Sequence, residues 1–162
     1  MRKYVILLML TVLLCGCAAE ETFETVADDL VLPVMASPRE ITVRLPENAV
    51  APVLEQEGQQ LYLCDGYEIL METKPAGNVG ATMRGISGYE KEALTVMETQ
   101  WQDVTRYEFV WATAGENGDR LGRAVVLDDG MYHYCLSILR DASTSESTQI
   151  VWSDVFSSFS LA

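Results

Sequence analysis

The stretch RAVVLDDGMYHYCLSIL, residues 123 to 139, decides the fold of this chain. Two apolar runs flank Asp129-Gly130, and such a pair is among the strongest short-range signals for a tight β-hairpin. Side chains alternate between the two faces of a strand. One face of the second run therefore carries Tyr132, Tyr134, Leu136 and Ile138. The stretch predicts two neighbouring antiparallel strands, because so short a connection cannot join parallel ones.

Strand-like runs of the same kind lie upstream of this hairpin. The nearest are LTVMETQW at 94–101 and RYEFVWATA at 106–114, and Gly115 to Gly118 forms the turn that follows. In RYEFVWATA the period of two puts Tyr107, Phe109 and Trp111 on one face. Residues 59–77 predict two more strands around a second Asp-Gly pair. We expect an antiparallel meander of about six or seven strands.

Two segments of the sequence predict helices. Asn78 is a candidate N-cap for a short helix that Gly88 would end. Near the C-terminus, apolar residues recur at helical spacing after the candidate N-cap Ser147. This stripe consists of Val151, Trp152, Val155, Phe156 and Phe159. One short and one amphipathic helix packed on an antiparallel sheet predict an α+β domain.

The composition excludes one class of partner. The chain has 24 Asp and Glu residues against 11 Lys and Arg residues, with a formal net charge of −13. A surface of that sign repels the phosphates of nucleic acids. We therefore expect no nucleic-acid partner. The same charge keeps a protein soluble and favours cationic partners.

The first residues have the layout of an export signal. Arg2 and Lys3 precede an apolar run from Tyr4 to Leu14, which is shorter than the ~20 residues of a membrane-spanning helix. Leu14-Cys15-Gly16-Cys17 then resembles the lipobox of bacterial lipoproteins, where a leucine lies three positions before the modified cysteine and a small residue lies directly before it. The resemblance implies diacylglycerol transfer to the Cys17 sulfur and signal cleavage between Gly16 and Cys17. The alternative is an ordinary signal peptide cut near Glu20.

The lipobox resemblance divides the chain into three parts. Residues 1–16 are the expected signal peptide, 17–38 an acidic tether and 39–162 a single α+β domain. The expected location is the extracytoplasmic face of the cell membrane, held by the lipid anchor on Cys17. One acyl chain binds a membrane marginally, at ~0.8 kcal/mol per buried CH₂, whereas two or three chains hold a protein stably.

A second resemblance concerns the fold alone. The stretches RYEFVW, RAVVLDDGMYHYCLSI and WSDVFSSFSL, within Gly88 to Leu161, are similar to the PsbP-like domains of bacterial lipoproteins. Those domains have a short helix, long antiparallel hairpins and a terminal helix, in the same order. The resemblance implies an antiparallel sheet flanked by helices, and it implies no chemistry, because a shared fold does not determine function.

Cysteine and histidine are the residues of this chain most suited to disulfide formation, catalysis or metal binding. Export would place Cys64 and Cys135 where disulfides form, and we expect a bridge between them. Two buried free thiols are the alternative. The chain's one histidine, His133, would join both cysteines in a thiol-dependent or metal-dependent enzyme. No CxxC or HExxH spacing supports that reading, so we assign no catalytic residue, cofactor or metal.

Other polar and aromatic residues are weaker candidates. Turn geometry explains Asp128 and Asp129 before Gly130 without a role as paired acids. A calcium site would use Glu116, Asn117 and Asp119, but these residues lack the regular ligand loop. Trp101 lies among polar neighbours and is the best candidate for an exposed contact. The aromatic residues of RYEFVWATA are expected in the core.

The sequence thus favours a lipid-anchored extracytoplasmic module without catalysis. We expect it to act as an accessory or binding protein, with the membrane and an envelope protein as partners. The alternatives are an enzyme that uses Cys64, His133 and Cys135, and a structural envelope protein.

Overall fold

The computed structural model describes residues 36–115, 118–143 and 147–162. Seven strands form the main sheet: β2 (Leu54–Gln56), β3 (Gln59–Cys64), β4 (Tyr67–Pro75), β5 (Thr95–Trp101), β6 (Val104–Gly115), β7 (Gly118–Asp128) and β8 (Tyr132–Asp141). All their pairings are antiparallel. The predicted α+β class and antiparallel sheet are confirmed. The predicted signal peptide and residues 17–35 of the predicted tether lie outside the described residues.

The sheet combines two runs of sequential hairpins. Its strand order is β2-β3-β4-β8-β7-β6-β5, so β4 joins the first run to β8 of the second. This central pair extends from Tyr67 opposite Arg140 to Pro75 opposite Tyr132. The chain leaves β4 in the middle of the sheet and returns as β5 at the far edge. The connection between them carries the first helix across one face.

That helix, α1 (Val79–Ser87), has the predicted ends. The side chain of Asn78 accepts a hydrogen bond from the backbone N–H of Ala81 at 3.0 Å, which satisfies one of the free donors of the first turn. Gly88 ends the helix with φ 81°, in the left-handed region that favours glycine, and its N–H binds the Arg84 carbonyl. A 3-10 turn follows at Lys91–Ala93.

The second helix, α2 (Ser147–Ser158), covers the opposite face of the sheet, which we call the α2 face. Trp152, Val155 and Phe156 of α2 pack with Phe159 against the sheet, as the predicted stripe requires. The strand residues beneath them include Tyr67, Ile69, Val125, Tyr134, Leu136 and Ile138. Each large apolar side chain buried in this way contributes about 1.5–3 kcal/mol. Neither helix of the described residues is long and apolar enough to span a bilayer.

The face beneath α1, which we call the α1 face, holds a second apolar cluster. Met83 of α1 packs there, and the predicted row of Tyr107, Phe109 and Trp111 lies on this face. Ala124, Val126 and Cys135 complete the buried part. The expectation that the RYEFVWATA aromatics belong to the core is correct for Phe109 and Trp111, whereas Tyr107 is partly buried and packs against them.

A two-stranded ribbon closes the α2 face. β1 (Ile41–Thr42) pairs antiparallel with β9 (Ser160–Leu161), directly after α2. Arg39, just before β1, donates its backbone N–H to the Tyr134 hydroxyl at 2.8 Å. The ribbon thus ties both ends of the described domain to the sheet.

Candidate functional site

The two cysteines of the predicted bridge lie on opposite faces of the sheet. Cys64 packs against the cluster on the α2 face, whereas Cys135 belongs to the cluster on the α1 face. Cys64 is opposite Tyr67 of β4 and Cys135 is opposite Glu72 of the same strand. That separation is roughly 17 Å along the strand, while a disulfide needs Cα atoms within about 7 Å. The expected Cys64–Cys135 disulfide is wrong for this fold, because both thiols are free and face apart.

The same geometry separates the three residues of the enzyme alternative. His133 and Cys135 are neighbours on the α1 face, but Cys64 is not there. Burial raises the pKa of the Cys135 thiol to about 12, against a smaller lowering effect of Lys74. Thiolate is the reactive form of cysteine, so this environment opposes nucleophilic use. Within the described ranges, no three His, Cys, Asp or Glu side chains converge as metal ligands.

His133 is a buried link between α1 and the sheet. Its side chain is fully buried, and its Nδ1 lies 2.8 Å from the hydroxyl of Thr82 on α1. On the other side, Nε2 lies 3.6 Å from an Asp128 carboxylate oxygen. An order of hydroxyl, imidazole and carboxylate occurs in nucleophilic sites. Here, however, Thr82 is buried beneath its helix, so the group holds α1 in place.

Asp129 organises the β7–β8 turn, as the Asp-Gly signal predicted. One carboxylate oxygen accepts hydrogen bonds from the backbone N–H groups of Met131 and Tyr132, and the other accepts from the Tyr134 hydroxyl. Burial alone would raise the pKa of Asp129. The hydrogen bonds from Tyr132, Met131 and Tyr134, together with the charge of Arg39, outweigh burial and hold this pKa below its ordinary value.

This pKa makes the stability of the hairpin depend on pH. Because the folded-state pKa of Asp129 is the lower one, its carboxylate stabilises the fold above about pH 4, and this contribution is lost as the pH falls through the folded value. Asp129→Asn should lower the free energy of unfolding by about 1 kcal/mol at pH 7. Urea titrations at pH 7 and pH 3 should show the difference from wild type shrinking at pH 3. A difference of equal size at both pH values would contradict the assignment.

The predicted calcium group cannot be assembled from the described residues. Glu116 and Asn117 lie outside them, and Asp119 pairs in the ladder opposite Ala114. Asp128 accepts a hydrogen bond from the Gly130 N–H at 2.8 Å, in keeping with a turn residue.

Trp101 is exposed, as its polar neighbours predicted. Its side chain is 76% exposed, whereas Trp111 and Trp152 are buried. It ends β5 beside a two-residue turn whose first residue, Gln102, has φ 55°. This left-handed conformation is unusual for a residue with a side chain. The tight turn and the pairing with Val104 fix the backbone of Trp101 at the end of β5.

Trp101 belongs to a larger uncovered area, which we call the hairpin surface. It comprises the exposed Met97, Thr99 and Trp101 of β5 and Val110 of β6, together with the partly buried Val104 and Arg106 of β6, all on the α2 face. Met97 and Val110 are 58% and 56% exposed. A cleft of about 300 Å³ opens beside the indole. Its lining includes Arg39, Asp103, Val104, Arg106, Phe159 and Leu161.

Charged residues fasten this surface to α2. Arg106 donates hydrogen bonds to the carbonyls of Phe156 at 3.0 Å and Phe159 at 3.3 Å, where the negative end of the helix dipole favours a cation. Glu108 accepts from Arg106 at 3.5 Å and from Arg123 at 3.0 Å. Neither these arginines nor Glu108 was predicted from the sequence as a functional residue. The alternation of Met97, Thr99 and Trp101 was the signal that could have indicated an exposed apolar face.

A second cleft of about 390 Å³ lies between residues 41–45 and the β2–β3 hairpin. Its lining combines the apolar Val43, Leu45 and Tyr62 with several glutamine side chains. Gln56 and Gln59 already satisfy each other by a hydrogen bond of 2.7 Å. This cleft is therefore less open to a new polar partner than the hairpin surface.

Comparisons with known proteins do not indicate a function for this site. No protein-family model matches the chain, and no curated protein matches it.

Proposed function

We propose that this protein is a lipid-anchored extracytoplasmic binding module, without catalysis, that holds an envelope protein through the hairpin surface. The anchor is Cys17, which follows the lipobox-like residues Leu14 to Gly16. Two or three acyl chains on that cysteine would keep the module at the membrane. The module itself would be the α+β domain.

The observation that carries the binding role is the exposure of Trp101. Tryptophan and arginine are enriched among the residues that dominate protein interfaces, and methionine is enriched in interface contacts. Trp101, Met97 and Arg106 occur together here on two paired strands. The position of Trp101 is fixed by the β-ladder and by the turn at Gln102. A rigid aromatic side chain loses little conformational entropy on binding.

The same observations weigh against the two alternatives. The enzyme alternative needs Cys64, His133 and Cys135 together, and the sheet separates the first from the others. A purely structural spacer has no use for a concave surface. The cleft beside Trp101 therefore favours binding.

The binding role is testable in intact cells with a photo-crosslinking amino acid at Thr99, an exposed position of the hairpin surface. We expect a discrete adduct that disappears when Trp101→Ala is added. Because Trp101 is mostly exposed, this substitution should change the stability by no more than about 0.5 kcal/mol. The matched control places the crosslinker at Asp65, an exposed turn residue elsewhere in the sheet. The binding role would be refuted if the adduct persisted in the Trp101→Ala variant, or if a crosslinker at position 65 gave an equally strong adduct.

The anchor is tested separately. Cys17→Ser should release the protein from the membrane fraction and remove incorporation of labelled palmitate. Cys15→Ser should change neither, because the resemblance places Cys15 in the removed peptide. Membrane association that survives Cys17→Ser would refute the anchor without touching the binding role.

A further inference from the structure

β5 is an edge strand with one side open. It pairs with β6, and no described strand pairs with its outer side. Because Gln102 and Asp103 form a two-residue turn, Trp101 and Val104 are a hydrogen-bonded pair and such pairs alternate along the ladder. The backbone N–H and C=O groups of Val96, Glu98 and Gln100 therefore point outward. They form a ready row of donors and acceptors for one more strand.

The sequence of β5 gives this edge little protection. Edge strands are usually guarded by lysine, proline, a bulge or very short length. The opposite edge, β2, has three residues. β5 has seven residues, Thr95–Trp101, and contains neither lysine nor proline. Its one charged residue is Glu98, at the centre of the strand.

The two sides of β5 differ in chemistry, and this difference specifies a partner. Met97 and Trp101 are exposed on the α2 face. Glu98 is exposed on the α1 face and makes no ion pair within the described residues. Burial raises the pKa of Tyr107, and the charge of Glu98 raises it further. Lys91 lies over the Tyr107 ring at 5.4 Å, so a cation is already accommodated on that face.

We propose that β5 accepts an extended segment of the partner as an additional antiparallel strand, and that this segment alternates basic and apolar side chains. This inference rests on the proposed function and specifies its partner. Basic side chains lie opposite Glu98 on the α1 face, and apolar side chains lie beside Met97 and Trp101 on the α2 face. Main-chain hydrogen bonds supply affinity and the alternating side chains supply specificity, as in other strand additions.

Charge complementarity selects this occupant over a second copy of the chain. In the symmetric antiparallel register that uses the whole strand, Glu98 would lie directly opposite the second copy's Glu98, and like charges in that position destabilise a pair. Two copies also carry a formal net charge of −13 each. A basic segment meets the opposite situation, because the acidic domain attracts it and speeds its association.

The test uses the full-length protein in detergent and the emission of its tryptophans. Trp101 is the exposed one, so a ligand on β5 should shift the emission to shorter wavelength. The probes are nine-residue peptides of alternating lysine and valine, and the same peptide with glutamate for lysine. We expect the lysine peptide to bind and the glutamate peptide not to bind. Glu98→Lys should weaken binding of the lysine peptide roughly fivefold and strengthen binding of the glutamate peptide. Asp65→Lys, with the same change in net charge, should do neither.

Backbone methylation separates strand addition from simple charge attraction. In an antiparallel peptide whose lysines lie opposite Glu98, the lysine N–H groups donate hydrogen bonds to β5, whereas the valine N–H groups point away from it. N-methylation of the lysines should abolish binding, and N-methylation of the valines should spare it. The strand proposal would be overturned if the two methylations had equal effects, or if Glu98→Lys left peptide binding unchanged. It would also be overturned if the protein formed concentration-dependent dimers without peptide. A Trp101-dependent crosslink in cells together with any of these results would leave the proposed binding role in place.

Discussion

Gly122→Ala is expected to lower the free energy of unfolding by about 3 kcal/mol, a large effect for one methyl group. Gly122 of β7 lies opposite Trp111 of β6, and the indole covers it. A Cβ at this position would lie 2.1 Å from Cε2 and 2.2 Å from Cζ2 of Trp111. The φ of Gly122 is outside the left-handed region, so backbone strain adds nothing. The loss comes from displacing a buried ring. Chemical denaturation measures it.

The control is the same substitution where space is free. Gly85 lies on the exposed side of α1, and a Cβ there would meet nothing within 4 Å. Gly85→Ala should stabilise the protein by about 0.5–1 kcal/mol, because alanine has the higher helix propensity. The two substitutions are therefore expected to have opposite signs. A loss at Gly85 as large as that at Gly122 would show that the indole contact is not the cause.

A double substitution tests the contact itself. In a Trp111→Leu background the ring is gone, so adding Gly122→Ala should cost less than half of what it costs in the native chain. Residues in contact show such coupling, and distant ones do not. Additive losses would contradict the proposed clash.

The sequence was sufficient to predict local structure because each signal acts over a few residues. Asp129-Gly130 and the Asn78 cap form their turns through contacts with immediate neighbours. The aromatic row of β6 follows from the period of two alone. The Trp111–Gly122 contact depends on the register of β6 against β7, and the sequence of either strand alone does not contain that register.

The disulfide prediction failed for a related reason. Cys64 and Cys135 both lie in strands, but their strands are separated by β4, and the pairing with β4 determines which face each side chain takes. The long connection that carries α1 across the sheet is what makes β4 the neighbour of β8. Such a crossover leaves no short-range signal. Trp101 was predictable because exposure at a hairpin end depends on its polar neighbours, whereas the contacts of Arg106 and Arg123 depend on where α2 packs.

Glu108 of β6 lies next to the hairpin surface and pairs with two arginines. Its side chain is 14% exposed and lies between the guanidinium groups of Arg106 and Arg123. Arg106 reaches from there to the end of α2, and Arg123 stacks on the Phe156 ring at 4.5 Å. The carboxylate thus neutralises two cations that hold the helix to the sheet.

Glu108→Gln should lower the free energy of unfolding by about 2–3 kcal/mol. The amide keeps the size and one acceptor but leaves two partly buried arginines facing each other without a counter-charge. This loss of stability is smaller than for a fully buried pair, because the side chains of Arg106 and Arg123 remain partly exposed to solvent. Because Glu108 itself is mostly buried, 1 M salt should reduce this loss by a smaller fraction than it reduces the loss at an exposed pair. Hydrogen exchange should increase at the end of α2 and in β6.

An exposed ion pair provides the matched control. Glu90 and Arg84 lie 2.9 Å apart, but their side chains are 63% and 56% exposed. Glu90→Gln should cost less than about 0.5 kcal/mol, and salt should abolish the effect, because a solvated pair gains little from its charges. If Glu108→Gln costs no more than Glu90→Gln, the arginines do not depend on Glu108. The attachment of β6 to α2 would then rest on the Arg106–carbonyl bonds and the Arg123–Phe156 contact.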